Sequence, residues 1–272
     1  MALDYAALLH DLRQESDSLL DCLRSSTAQV WETATPAAGW AVRDQVSHLA
    51  FFDDVALLAM TDADRFRSEA ESLTARGTDF PDRVAEDYRR MAPVDLLEWF
   101  IDSRTRLLAA FTEADPRQRM PWFGPDMSVA SSATARLMET WAHGQDVYDT
   151  VGVEHPVSPG LRSIAHLGVS TFAFAYRLND REVPEDSVRV ELSAPDGGEV
   201  WTWGPDDAVN RIAGPAEDFV LVVTQRRHAE DTELSIHGDV ASSWMDIAQA
   251  FAGAPGSKRP HLAVTPDKKT PI

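Results

Sequence analysis

Between residues 1 and 152, four stretches carry apolar side chains at helical spacing, and turn-forming or charge-rich segments separate each from the next. This pattern leaves few folds open, because an amphipathic helix must bury its stripe against another element. The first stretch, about residues 3 to 25, presents Tyr5, Leu8, Leu9, Leu12, Leu19, Leu20 and Leu23, with a polar gap around Ser16. Thr35-Pro36-Ala37-Ala38-Gly39 turns the chain into Trp40, and a second helix spans about 41 to 60 through Val42, Val46, Leu49, Phe52 and Ala56. Residues 61 to 91 are charge-rich, contain Gly77 and Pro81, and read as a connection with two short helices. The third long helix opens at Pro93, a favoured first helical residue, with the stripe Leu96, Leu97, Phe100, Leu107, Leu108 and Phe111. A loop through Pro116, Pro121, Trp122, Phe123 and Pro125 leads to Ser128, whose hydroxyl suits an N-cap. The fourth helix then runs to about Val151, with Ala133, Leu137, Trp141, Gly144 and Tyr148 facing inward. Four helices in succession predict an antiparallel four-helix bundle over residues 1–152.

The character changes after Gly152. Pro156 and Pro159 mark a linker, and a fifth helix follows through Leu161, Ile164, Leu167 and Phe172 to Leu178. Val188, Val190 and Leu192 alternate with charged residues, as in a half-buried strand. Asp196-Gly197-Gly198 is a hairpin turn leading into Val200-Trp201-Thr202-Trp203. Pro215, Glu217 and Asp218 suit a helix start, while Val220, Val222 and Val223 suit a strand equally well. Leu234 and Ile236 read as a short strand, and Asp239 caps a last helix through Trp244, Ile247 and Phe251, stopped by Gly253. The expectation is a second, α+β domain over 156–253 and a tail over 254–272.

Charge narrows the partners. Lys and Arg total 25 against 44 Asp and Glu, a net charge of −19. Such a surface repels phosphate backbones and anionic lipid headgroups, which argues against nucleic acid and membrane surfaces. No apolar run approaches the ~20 residues that cross a bilayer, and the first residues lack the features of a signal peptide. The single cysteine, Cys22, has no partner for an internal disulfide, so a cytoplasmic protein is expected. Cys22 lies among Leu19, Leu20 and Leu23, the setting of a buried filler rather than a nucleophile.

Of the eight histidines, one shares a helix face with a carboxylate at metal-binding spacing. Glu139 and His143 are four residues apart, so their side chains sit one above the other at the edge of the bundle core. By itself that pair reads as a surface contact rather than a metal site. His48, among Val46, Leu49, Phe51 and Phe52, reads by itself as a neutral core histidine.

Together these segments resemble something more specific. Trp40-Ala41-Val42-Arg43-Asp44-Gln45-Val46-Ser47-His48-Leu49, followed by Glu139-Thr140-Trp141-Ala142-His143-Gly144-Gln145-Asp146, resembles the paired signature of the DinB-like superfamily. Within it, the chain is most similar to the mycothiol-dependent maleylpyruvate isomerases and their actinobacterial relatives. The resemblance implies a four-helix bundle holding zinc or another divalent metal through His48, Glu139 and His143. It continues more loosely over Gly214-Pro215-Ala216-Glu217-Asp218 and from Gly238-Asp239 to Trp244, which are similar to a partner domain of sterol-carrier-like fold. It also implies mycothiol as a co-substrate, but fixes no single reaction, since the superfamily includes isomerases, thiol transferases and members of no known activity.

Two imidazoles and one carboxylate leave a coordination position open, the pattern of catalytic rather than structural zinc. A thiol there is deprotonated, so it is able to add to an electrophilic small molecule and either leave, giving isomerisation, or remain, giving S-transfer. Arg226-Arg227 are the candidates to hold an anionic substrate, against the reading of a solvated terminus. Asp44, one turn before His48, either orients that histidine or favours the helix N-terminus. Trp122 and Phe123 either wall the pocket or anchor their loop. Two other readings stay open: a hydrolase using metal-held hydroxide, and a non-catalytic metal-stabilised bundle whose second domain binds a lipid.

Overall fold

Each long helix begins at a side chain that takes up one amide at its start, or at a proline that brings none. Asp4 Oδ1 accepts the Ala7 amide at 3.0 Å, and α1 (Tyr5–Ser25) follows. At the start of α2 (Val42–Thr61), Asp44 Oδ2 accepts the Ala41 amide at 2.8 Å. The charge-rich connection holds α3 (Ala63–Thr74) and α4 (Phe80–Tyr88). Pro93 is the first residue of α5 (Pro93–Glu113), where its missing N–H costs nothing. Two short strands that the sequence does not announce, β1 (Arg119–Met120) and β2 (Met127–Ser128), pair antiparallel around the Trp122-Phe123 loop. Ser128 Oγ accepts the Ser131 amide at 3.0 Å and opens α6 (Val129–Val151), which ends on Gly152 at φ +70°. α7 (Leu161–Ser170) comes next.

The structure, a computed structural model, describes residues 4–256 and 259–261. It divides into two compact units, one up to Leu167 with Phe251–Ala254, the other Gly168–Ala250 with the chain from Pro255. The division therefore falls inside α7, downstream of the proline linker.

In the first unit, α1 and α2 each pack against both α5 and α6, so the four long helices share one core. Leu12, Leu19, Val46, Leu49, Phe100, Leu107, Phe111 and Leu137 are fully buried there. Truncating one of these phenylalanines to alanine removes about 3–5 kcal/mol. The polar gap in α1 is buried as well. Glu15 Oε1 takes His155 Nε2 at 2.9 Å, and the His155 ring stacks between Trp141 and Tyr148. A break in the apolar stripe thus marks a buried hydrogen-bonded pair rather than a solvated face.

The second unit has α8 (Phe172–Leu178), where the sequence suggests that one helix runs on from Leu161. Its sheet contains β3 (Val188–Ser193), β4 (Val200–Trp203), β5 (Asn210–Pro215) and β6 (Ser235–His237) in the order β4-β3-β5-β6. β3 is antiparallel to β4, with Val190 opposite Trp203 and Leu192 opposite Trp201, the hairpin read from Asp196-Gly197-Gly198. β5 runs parallel to β3 with Ile212 opposite Val190, and β6 is antiparallel to β5. β5 escapes a sequence reading because its one large apolar residue, Ile212, is followed by Gly214 and Pro215, residues that normally demote a strand. Gly214 adopts φ +152°, and a Cβ there would lie 3.1 Å from the Glu233 carbonyl oxygen.

The ambiguous valine run is a helix, α9 (Ala216–Val223), with Glu217 and Asp218 in its first turn. α10 (Asp239–Met245) is shorter than its apolar pattern predicts. The chain leaves the helix before Ala250, whose amide donates to the Val223 carbonyl at 2.8 Å and holds that segment against the end of α9. Among the described residues, no helix is long and apolar enough to cross a membrane. Most of the predicted tail, residues 257–258 and 262–272, lies outside the described residues.

Candidate metal centre

His48 projects from the middle of α2, and Glu139 and His143 from successive turns of α6. Their ligand atoms lie within 4.8 Å of one another. Glu139 Oε2 is 3.4 Å from His48 Nε2 and 3.1 Å from His143 Nε2, and the two imidazole centroids are 4.3 Å apart. The three side chains are 12%, 21% and 11% exposed, so the cluster is nearly dry but reachable. Burial and the neighbouring His143 push the His48 pKa down to about 3. Burial alone would raise the Glu139 carboxyl, but contacts with His143 and His48 hold it well below the usual carboxylate range.

The tautomer of His143 follows from a chain of hydrogen bonds. The Trp40 carbonyl only accepts, so the Thr35 hydroxyl donates to it at 2.9 Å. Thr35 Oγ1 therefore accepts from Gln45 Nε2 at 2.8 Å, which turns Gln45 Oε1 towards the ring of His143. His143 Nδ1 carries the proton and donates it to Gln45, leaving the Nε2 lone pair aimed at Glu139 Oε2. His48 Nδ1 is buried without a hydrogen-bond partner, and the ring turns its Nε2 to the same carboxylate oxygen. Two imidazole nitrogens and a carboxylate oxygen meeting at one point are the donor set of a divalent metal of the zinc class, so the residues fit such an ion.

Aromatic rings enclose the histidines. Trp40 lies 5.3 Å from His48 and stacks on His143 at 5.7 Å, while its Nε1 donates to Asp82 on α4 at 2.7 Å. Phe52 sits 4.5 Å from His48. Trp122 and Phe123 pack on Phe52 at 6.4 and 6.0 Å, one ring further out. They also line a cavity of about 180 Å³ with Phe66, Arg67 and Thr74.

Behind the ligands lies a buried charge cluster. Asp53, fully buried, accepts from Arg104 Nε at 2.7 Å and from Arg136 Nε at 3.1 Å. Arg104 Nη2 also donates to Thr140 Oγ1 at 3.0 Å. Arg136, one turn before Glu139, has its pKa lowered by burial, partly offset by Asp53 and Glu139. α2, α5 and α6 are thus tied through charge at the level of the site.

The structure brings together His48, Glu139 and His143; spacing predicts only Glu139 beside His143, and His48 is what the resemblance implies. Asp44 takes the second of its two readings: it caps α2 and pairs with Arg89 at 3.1 Å. The residue that orients a ligand is its neighbour Gln45, and the ligand is His143 rather than His48. Arg226 and Arg227 lie in the second unit, just after α9, where both backbone amides donate to the Leu221 carbonyl. Their guanidinium groups bond nearby carbonyls, Arg226 that of Thr224 at 2.7 Å and Arg227 that of Arg226 at 2.8 Å. Sequence reading misses Arg104, although a cation four residues after Phe100, within an apolar stripe, is a signal that a buried partner exists.

Comparison with known proteins adds a family to this geometry. The family model for the mycothiol maleylpyruvate isomerase N-terminal domain matches residues 12–148. A second model, described as wyosine base formation, matches residues 184–235. Uncharacterized proteins from two strains of Mycobacterium tuberculosis, CDC 1551 / Oshkosh and ATCC 25618 / H37Rv, are each 43% identical over 256 residues, covering 94% of this chain and 99% of theirs. Among solved structures, the mycothiol-dependent maleylpyruvate isomerase superposes with a TM-score of 0.59 at 12% identity, over 86% of this chain and 93% of that one. A point mutant of it gives 0.57 at 13% identity, over 84% and 91%. At such identity the likeness is one of fold, predominantly helical with a small mixed sheet.

Proposed function

The chain belongs to the mycothiol maleylpyruvate isomerase N-terminal domain family, and on that premise we propose a metal-dependent enzyme that activates a low-molecular-weight thiol, mycothiol, towards an electrophilic small molecule. The observation that carries this reading is the convergence of His48 Nε2, Glu139 Oε2 and His143 Nε2 in a nearly dry, reachable recess. A divalent cation of the zinc class bound there would lower the pKa of a thiol and supply a nucleophile at neutral pH. The chain then needs no cysteine nucleophile of its own, which agrees with Cys22, half-buried against the leucines of α1 and with its thiol pKa raised by burial.

The remaining roles fall to other side chains. Gln45 holds His143 in the tautomer whose Nε2 faces inward. Trp40 and Phe52 keep water from the histidines, which strengthens electrostatic interactions there. Arg226 and Arg227 are retained as the groups proposed to hold an anionic part of the substrate. Addition of the thiol sulfur to an electrophilic carbon, followed by its departure, regenerates the thiol and isomerises the substrate; retention gives S-transfer. The solved isomerase relatives favour the first outcome.

Calorimetric titration of the zinc-loaded full chain with mycothiol, and with glutathione as control, tests the reading. Binding of mycothiol that disappears in His48→Ala is expected. No heat from either thiol with a fully metallated protein would overturn the thiol reading and leave the hydrolase or the binding protein.

A further inference from the structure

The second unit contains a cluster that the proposed reaction does not use. His228, Glu230 and His261 offer ligand atoms within 4.8 Å of one another. His228 and Glu230 belong to the short 3-10 turn Ala229–Asp231 and its cap, whereas His261 comes from the C-terminal stretch. Helical spacing therefore does not account for their meeting. His228 Nδ1 lies 4.0 Å from Glu230 Oε2, and His261 Nδ1 lies 3.9 Å from the same oxygen. Asp231 stands behind one of them, with Oδ1 2.7 Å from His261 Nδ1.

Bonds of about 2.0–2.1 Å in a tetrahedral site place ligand atoms about 3.3–3.4 Å apart. The Glu230 carboxylate is 3.9 and 4.0 Å from the two rings, about 0.6 Å beyond that spacing. The three side chains are free enough to close it: His228 is 31% exposed, His261 41% and Glu230 70%. Asp231, 11% exposed, is the fixed neighbour of His261. His228 Nδ1 accepts the Glu230 amide at 3.2 Å, a long hydrogen bond, and the contact between His261 and Asp231 is held by one proton.

We propose that His228, Glu230 and His261 form a second divalent-metal site, of zinc class, with Asp231 as the carboxylate that holds the His261 ring. Two imidazoles exclude the all-oxygen preference of calcium and magnesium, and the Glu230 carboxylate offsets part of the charge of the ion. Three protein donors leave one position for water. The ion fastens the C-terminal stretch carrying His261 to the turn that follows Arg226 and Arg227. This inference does not rest on the thiol reading.

Zinc titration of the chelator-stripped full chain, followed by calorimetry and by elemental analysis after desalting, tests it. The wild type should take two equivalents. The double variant His228→Ala/His261→Ala should lose one and keep the other, and His48→Ala/His143→Ala should show the reverse loss. Asp231→Asn should weaken the second equivalent while circular dichroism stays unchanged. Loaded with cobalt, the His48→Ala/His143→Ala variant should still give the visible absorption of a tetrahedral ion. A zinc count that is the same in the wild type and in His228→Ala/His261→Ala, whatever its value, would reduce the cluster to a hydrogen-bonded clasp and overturn the proposal.

Discussion

Gln45 and His143 are 98 positions apart in the sequence, and the amide oxygen of one accepts the Nδ1 proton of the other. That contact decides which lone pair of His143 faces Glu139. Outer hydrogen bonds of this kind commonly contribute 10–100-fold to metal affinity. Gln45→Leu should therefore weaken zinc binding by roughly that factor, and Gln45→Glu, which keeps an acceptor in place, should recover most of it. Competition against a chromophoric chelator measures both. Unchanged affinity in Gln45→Leu would show that His143 is held by packing alone.

His48→Ala or His143→Ala should empty the site while the helices stay formed. The buried apolar residues of α1, α2, α5 and α6, among them Leu12, Leu49, Phe100 and Leu137, do not include the candidate ligands. Metal content and far-ultraviolet circular dichroism, measured on the same sample, separate the outcomes. Loss of helix together with metal would make the site structural.

The buried cluster behind the site should matter more to stability than the surface pairs. Asp53→Ala leaves Arg104 and Arg136 buried without their carboxylate, a change that costs about 3–5 kcal/mol. Arg106→Ala breaks exposed pairs with Asp54 and Asp102, each worth only ~0–1 kcal/mol. Denaturant midpoints of the two variants should differ accordingly. Equal midpoints would mean that the α2–α5–α6 cluster carries no more than its surface counterpart.

Burial raises the pKa of the Cys22 thiol above its ordinary value of 9.0. A raised acid pKa favours the neutral form, so the reactive thiolate is scarce at pH 8 and appears only as pH rises past that value. Alkylation of native Cys22 by iodoacetamide should be slower than that of the denatured chain at pH 8, and the gap should narrow at higher pH. Fast labelling at pH 8 would reopen the case for a protein nucleophile.

The candidate ligands are legible because their spacing and their motif are local. Four residues on one helix place Glu139 beside His143, and the surrounding residues complete a family signature that includes His48. Gln45, Thr35 and Trp40 were not legible, since their role lies in hydrogen bonds that exist only once α2 lies against α6. The hairpin of β3 and β4 was read from its turn, whereas β5 was hidden by the glycine and proline that its parallel pairing tolerates. The helix begun at Asp239 was overextended because Ile247 and Phe251 keep helical spacing after the backbone has turned aside to meet Val223.

Arg104 and Arg136 share the single carboxylate of Asp53, and the charge left over lies one helical turn from Glu139. A newly synthesised chain thus has an internal counterion for Glu139 before any metal arrives. Unlike a zinc finger, which stays unfolded until it is loaded, a bundle so furnished would be able to fold first and take up an ion afterwards. Occupancy would then be a matter of which cations circulate at the time, and one could be exchanged for another on the finished scaffold.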